Sequence, residues 1–256
     1  MSYWPKKVVM ITGASSGIGR GLAVEIARRG GKLGLVARRA EVIDEVVREI
    51  ESVGGKAVAL PADVQGGESM VKAADRLRSA FGSIDVLIAN AGIGPTRDAA
   101  NFSAEEVANV FNVNVIGATN SVAAVLPNML ERAGGQLVVI SSLAAYRGLP
   151  KSAAYCASKA AVSSFFESLR LDLEPRGIDV TIIHPGFIKT PLTAGRGARL
   201  PYLMELDYAV QKMVRVIEKR RKRYSFPWQL ATIVRAGMIM PMWMYDRISR
   251  ANSFRE

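Results

Sequence analysis

The sequence predicts an α/β fold, a doubly wound parallel β-sheet with helices packed on both faces. Three observations predict it. Six short apolar runs alternate with longer segments of helical period, separated by brief loops. A glycine-rich loop joins the first apolar run to the first helical segment. No internal repeat, low-complexity tract or linker divides the chain, and 256 residues at 49% apolar content suffice for one large core. Residues 1–256 therefore read as one domain.

The elements follow in order. Val8–Ile11 is a β-branched run ended by glycines, and helix-permissive Gly19–Arg29 follows it. Lys32–Ala37 is the second strand. Val42, Ile43, Val46, Val47, Ile50 and Val53 recur at helical spacing, so residues 41–53 form an amphipathic helix. Ala57–Leu60 reads as a strand, Glu68–Phe81 as a helix and Ile84–Ala89 as a strand. Ser103 stands three residues before Glu106, the capping-box pattern, and opens a helical stretch towards Leu130. Gln136–Ile140, Ala153–Glu174 and Asp179–Ile183 then read as strand, helix and strand.

Composition removes several functional classes. A single cysteine, Cys156, allows no intrachain disulfide and no cysteine metal site, which fits a reducing, cytoplasmic compartment. It reads as a buried, inert thiol. A single histidine, His184, rules out multi-histidine metal centres and argues against serine-histidine hydrolysis. Standing before Pro185 at a strand end, it reads as structural. Lys6 and Lys7 precede only Val8–Ile11, too short for a signal-peptide core. No apolar run approaches the roughly 20 residues of a membrane span. The formal charge is +11. Residues 212–256 hold eleven Lys or Arg against three acids, a net of +8 that leaves +3 for the rest. The basic character is thus local to the C-terminal part.

Two constellations carry chemistry. Thr12–Gly19 links the first strand to the first helix, with Gly13, Gly17 and Gly19 around Ser15, Ser16 and Ile18. Glycines let the backbone turn sharply and approach a ligand, and a helix N-terminus favours an anion such as a dinucleotide pyrophosphate. The second constellation is Tyr155 and Lys159, one helical turn apart, with Ser142 thirteen residues upstream of the tyrosine. A phenol of pKa about 10 is a poor acid-base catalyst at neutral pH. A lysine ammonium on the same helix face favours the phenolate, and a nearby serine hydroxyl can hold a carbonyl oxygen within reach. The second strand ends Val36-Ala37-Arg38-Arg39, with no carboxylate before Glu41. An acidic residue there would bind the ribose 2′-hydroxyl of NAD, whereas guanidinium groups suit a 2′-phosphate. The cofactor expected is NADP(H), with Arg38 ahead of Arg39.

Thr12–Gly19, Asn90-Ala91-Gly92, Asn114, Ser142, Tyr155-x-x-x-Lys159 and Pro185-Gly186 together resemble the classical short-chain dehydrogenase/reductase family, over residues 6–190. The resemblance implies a single Rossmann-type domain with seven parallel strands. It also implies a nicotinamide cofactor across the C-terminal strand ends. In its terms Tyr155 is the acid in reduction and the base in oxidation. Lys159 depresses the phenol pKa and binds the nicotinamide ribose. Ser142 orients the substrate oxygen, with Ser141 the weaker candidate, one residue off the family spacing. Asn114 resembles the asparagine that holds a water behind the lysine. Asn90, beside Ala91 and Gly92, braces the sheet next to the cofactor. Asp63, followed by Val64, meets the adenine ring. Pro185, Gly186 and Ile188 line the cofactor, and Thr190 meets its carboxamide. Members are often dimers or tetramers, which implies a homo-oligomer.

The resemblance also implies that the segment after Gly186, about residues 190–210, closes over the substrate. Leu192, Leu200, Tyr202, Leu203, Met204 and Leu206 offer apolar material there, with Arg196 and Arg199 among them. A hydrophobic pocket follows, open to a substrate with an anionic tail. Beyond Arg223 the pattern fades. The extension 219–256 begins with the basic run Lys219–Arg223 and continues through Phe226-Pro227-Trp228 into Ala231–Met244, apolar but for Arg235. Peripheral contact with anionic lipid is one reading. A subunit interface or a lid on the core is the other, and Pro241 would bend any helix there. Positive charge alone, without a recognition motif, does not make a nucleic-acid partner. The function expected is NADPH-dependent reduction of a lipophilic aldehyde or ketone. Oxidation of a lipid or sterol alcohol is the alternative, as is a nucleotide-binding regulatory protein without turnover.

Overall fold

The apolar runs become strands β1 (Val8–Thr12), β2 (Lys32–Ala37), β3 (Lys56–Pro61), β4 (Val86–Ala89), β5 (Gly135–Ile140), β6 (Ile178–Pro185) and β7 (Arg223–Phe226). They form one seven-stranded sheet in the order β3-β2-β1-β4-β5-β6-β7, with every pairing parallel. The structure is a computed structural model that describes residues 3–194 and 200–251. Arg196 and Arg199 lie outside the described residues. All five residues of β1 are buried, as a parallel strand covered on both faces must be. That is why it reads as a continuous apolar run and not an alternating one.

Helices α1 (Gly17–Arg28), α2 (Ala40–Ser52) and α7 (Leu206–Glu218) cover one face of the sheet around Leu22, Ile26, Ile43 and Val214. Trp4 fills this layer, fully buried, and its indole N–H donates to Glu218 at 2.6 Å. Helices α3 (Gly67–Phe81), α5 (Gly117–Glu131) and α6 (Ala153–Leu173) cover the other face around Met70, Leu77, Val125 and Phe166. Strand order reverses between β1 and β4, which opens a crevice at the C-terminal strand ends.

The sequence reading needs several corrections. Helix α1 begins at Gly17, two residues earlier than expected. The stretch 104–131 is not one α-helix. It runs as α4 (Ala104–Phe111), a π-helical turn Asn112–Ile116, and α5. By length and composition it could cross a membrane, yet α5 buries Val122, Val125 and Met129 in the core. Only half of the capping box forms. Ser103 Oγ accepts from the Glu106 amide at 3.2 Å, while the Glu106 carboxylate pairs with Arg97.

The C-terminal part departs furthest from expectation. Strand β7 emerges directly from the basic run. Arg220 pairs with Asp179, Lys222 with Glu174 and Arg223 with Glu167, so acids at the start of β6 and along α6 and its end hold these cations. Helices α8 (Trp228–Ile239) and α9 (Met242–Ala251) follow β7 and break at Pro241.

Candidate active site

The crevice is stitched at its base. Thr12 Oγ1 accepts from the amides of Asn90 (3.0 Å) and Ala91 (3.1 Å), and Asn90 Nδ2 donates to the carbonyls of Thr12 (3.0 Å) and Gly13 (3.3 Å). The loops after β1 and β4 thereby form one unit. Two glycines permit it. Gly13 has φ +66°, and a Cβ there would stand 2.8 Å from Ala91 Cα. A Cβ at Gly19 would stand 2.2 Å from the Gly13 carbonyl oxygen and 2.6 Å from Asn90 Nδ2. Ser16 takes the N-cap position of α1 without a capping side-chain bond. The first amides of α1 are thus left to an anion. Arg38 and Arg39, just past β2, are exposed, and neither forms a salt bridge among the described residues. Asp63 accepts from the Gln65 amide at 3.0 Å and borders the same space, as does Val64.

The second constellation stands on β5 and α6. Tyr155 and Lys159 share one face of α6, with the ammonium 5.8 Å from the phenol ring centre. Lys159 Nζ donates to the Ile140 carbonyl at 2.9 Å. Burial pulls this ammonium down from 10.5 to about 8, because the charged form loses water. The two serines diverge. Ser142 faces the cavity, with its Oγ accepting from the Ala144 amide at 3.1 Å. Ser141 is buried, donating to the Lys159 carbonyl at 3.1 Å and meeting Ser163 Oγ at 2.7 Å. Asn114 sits in the π-helical turn, where Oδ1 accepts from the Ile93 amide at 2.8 Å. Its Nδ2 donates to the Ile93 carbonyl and to Ser158 Oγ, both at 2.9 Å. Both amide protons are therefore committed to protein atoms. A Cβ on Gly92 would stand 3.2 Å from Asn114 Oδ1 and 3.4 Å from Lys159 Nζ, so the three residues meet at one point.

His184 lies behind this site. Its Nε2 meets Ser163 Oγ at 3.2 Å, and its ring packs on Tyr146 with centres 5.0 Å apart. Burial first, then the charges of Arg223, Arg235 and Lys159, push the imidazole down to about 3. It is a neutral packing residue at working pH. Cys156 is buried. Among the described residues no cluster of three or more His, Cys, Asp or Glu could hold a metal.

A cavity of about 790 Å³ joins these parts. It runs from Arg38, Arg39 and Asp63, past Ser15–Ile18 and Asn90–Gly92, to Ser142, Tyr155, Lys159, Pro185, Gly186, Ile188 and Thr190. Gly19 and Asn114 stand just behind its wall. The far end differs from expectation. Leu192 and Tyr202 line it, but Met204 and Leu206 turn into the core. The cause is a short bridge, in which the Met204 amide donates to the Phe187 carbonyl and the Lys189 amide to the Met204 carbonyl, both at 3.0 Å. Leu200 and Leu203 do not reach the cavity either. In their place stand Leu230, Ile233, Val234 and Gly237 of α8, with Tyr245 and Ile248 of α9. The signal was present in the sequence, since positions 230, 233, 234 and 237 make one helical face. On the outer side Trp228, Ile239, Met242 and Trp243 are each at least 70% exposed.

Comparison with known proteins agrees with this geometry. The family model described as short chain dehydrogenase matches residues 7–200. An uncharacterized oxidoreductase of Myxococcus xanthus (strain DK1622) is 41% identical over 250 residues, covering 98% of each chain. The 11-beta-hydroxysteroid dehydrogenase-like 2 of Arabidopsis thaliana is 42% identical over 191 residues, 73% of this chain and 61% of the plant protein. A short chain dehydrogenase/reductase from Burkholderia phymatum, solved in complex with NAD, superposes with a TM-score of 0.84 at 26% identity. That match covers 92% of this chain and 93% of that one. The chain belongs to the short chain dehydrogenase family of oxidoreductases.

Proposed function

We propose that the protein is an NADPH-dependent carbonyl reductase acting on a lipophilic aldehyde or ketone. One observation carries this reading: Ser142, Tyr155 and Lys159 line one cavity together with two exposed arginines, Arg38 and Arg39, and an apolar helical wall. A nicotinamide cofactor, when bound, supplies the hydride that the carbonyl carbon receives. The residues present suit such a group. The uncapped first turn of α1 favours a pyrophosphate, Arg38 and Arg39 favour a 2′-phosphate, and the Asp63 carboxylate can accept from an adenine amino group. The Burkholderia protein holds NAD, a dinucleotide of the same outline without that phosphate.

The chain's own work is positioning and proton transfer. Ser142 Oγ orients the carbonyl oxygen, and the Tyr155 hydroxyl delivers a proton to it. The Lys159 ammonium stabilises the charge left on the phenol oxygen. Asn114 holds the Ile93 backbone strap against Ser158 on α6, and so keeps the turn after β4 in register with the tyrosine.

The test follows NADPH oxidation by absorbance across aldehydes and ketones of increasing chain length, with NADH in parallel. Rates with NADPH should rise with chain length. Tyr155→Phe should abolish turnover and leave NADPH affinity within about twofold, since only the proton donor is removed. Silence with both cofactors on every substrate, or an active phenylalanine variant, refutes the reading. A second reading keeps the site and reverses the flow, oxidising a sterol or lipid alcohol. The two 11-beta-hydroxysteroid dehydrogenase-like relatives from Arabidopsis thaliana, 40% and 42% identical, favour it. Strong preference for NAD would decide for oxidation.

A further inference from the structure

Helices α8 and α9 form the far wall of the cavity, yet they hang from the edge strand and pack little of their surface into the core. Something must fix their distance from Tyr155. The turn between Ser142 and α6 does this. Arg147 Nη1 donates to the Gly237 carbonyl and, at 3.2 Å, to the Met240 carbonyl, the terminal carbonyls of α8. Its guanidinium lies 3.8 Å from the ring centre of Tyr245 in α9, and the Tyr245 hydroxyl donates back to the Gly148 carbonyl. No carboxylate pairs with Arg147 among the described residues. Its charge meets the negative end of α8 and an aromatic face. One residue thus ties the α8–α9 elbow to the segment that connects the proposed serine and tyrosine.

We propose that Arg147 is a positioning residue that sets the depth of the substrate end, and with it the chain-length selectivity of the reaction. The selectivity half rests on the proposed carbonyl reduction; the positioning half does not. Short substrates end before α8, whereas long ones must press against Leu230, Val234 and Ile248. A wall free to shift costs affinity only for the long ones.

The variant Arg147→Met keeps an unbranched apolar stem and removes every donor. Backbone amide exchange in the full chain, read by mass spectrometry without substrate, should quicken about tenfold or more across 237–248 and stay unchanged in β1 and β4. In kinetics, KM should rise about tenfold for the longest carbonyl accepted and change by about twofold or less for the shortest. Arg147→Lys, which keeps the charge but not the fork, should fall between. Tyr245→Phe, which loses one hydrogen bond and keeps the ring, gives a milder change in the same direction should Arg147→Met fail to fold. Unchanged exchange at 237–248 overturns the positioning role. Equal losses for short and long substrates overturn the selectivity role. Silence of the wild-type protein on every carbonyl refutes the functional reading and the selectivity role together, and exchange still judges the positioning.

Discussion

The two ends of the cavity are made of different material. The end at the glycine loop presents main chain, held by strand ends and by the bonds between Thr12 and Asn90, with the side chains of Arg38, Arg39 and Asp63 at its rim. The end under α8 and α9 is side chain, carried by two helices whose outer faces leave Trp228 and Trp243 in solvent. A dinucleotide has one shape, and backbone groups clamped by a sheet can match it once and for all. A lipophilic substrate offers few polar groups to match, so a wall of Leu, Ile and Val that can be exchanged residue by residue is enough. On the proposed function, the backbone end faces the ligand of fixed shape and the side-chain end faces the ligand that varies.

That contrast can be broken most sharply at Gly19. Gly19→Ala puts a Cβ into the Gly13 carbonyl, and backbone cannot step aside as a side chain can. Overpacking of this kind costs about 3 kcal/mol, so cofactor affinity should drop about 100-fold or more in a direct titration, with a lower Tm. Arg38→Ala acts at the same end without touching the backbone. It should reduce the ratio of NADPH to NADH efficiency by about 10–100-fold, the value of a charge-assisted bond, while NADH efficiency barely moves. If both cofactors weaken alike, Arg38 does not read the phosphate.

His184 belongs to neither end and tests the scaffold beneath both. Its folded value of about 3 lies below the ordinary 6.5. The folded chain therefore refuses a proton that the unfolded chain accepts. Its contribution to stability is complete above pH 6.5 and declines as pH falls from there towards 3. Between pH 7.5 and pH 5 it should cost about 2 kcal/mol, or roughly 4–8 °C in Tm. His184→Gln should recover most of that acid loss in a melting series. The smallest effect is expected at the substrate end. Val234→Ala removes two methyl groups from an adaptable wall and should raise KM for long carbonyls about fivefold, with kcat nearly constant.

Much of this architecture was readable without coordinates, for reasons particular residues make clear. Val8–Ile11 announced a strand because both its faces are covered. Gly13 and Gly19 announced a backbone approach that no other residue permits. The far wall was legible as a helix, with its role open among lipid contact, a subunit interface and a lid on the core. Leu230, Ile233, Val234 and Gly237 repeat at helical spacing whether they face lipid, a subunit or a cavity, because periodicity reports burial and not what lies opposite. The seventh strand follows from the resemblance alone, because Arg223–Phe226, four residues entered from a basic run, is too short to announce it. Met204 suits a pocket by its apolar character. A backbone bridge to residues 187–189 took it into the core instead.

The π-helical turn at Asn112–Ile116 has a consequence for what this region can tolerate. An α-helix advances about 100° per residue, and a π-turn inserts one residue more than that winding needs. The extra residue is taken up within the widened turn, so α5 keeps its phase with α4. With it, Asn114 points to Ile93 and Ser158 while Val122, Val125 and Met129 point into the core. Delete one residue from 112–116 and the winding becomes regular, with α4 and α5 keeping their mutual phase but the widened turn gone. The apolar face of α5 stays on the sheet, and the loss falls on Asn114, whose bonds to Ile93 and Ser158 depend on the widened turn. Many single substitutions in this turn would keep both the helix phase and the Asn114 contacts; loss of one residue keeps the first and forfeits the second. Here the chain is held to a count of residues more strictly than to their kind.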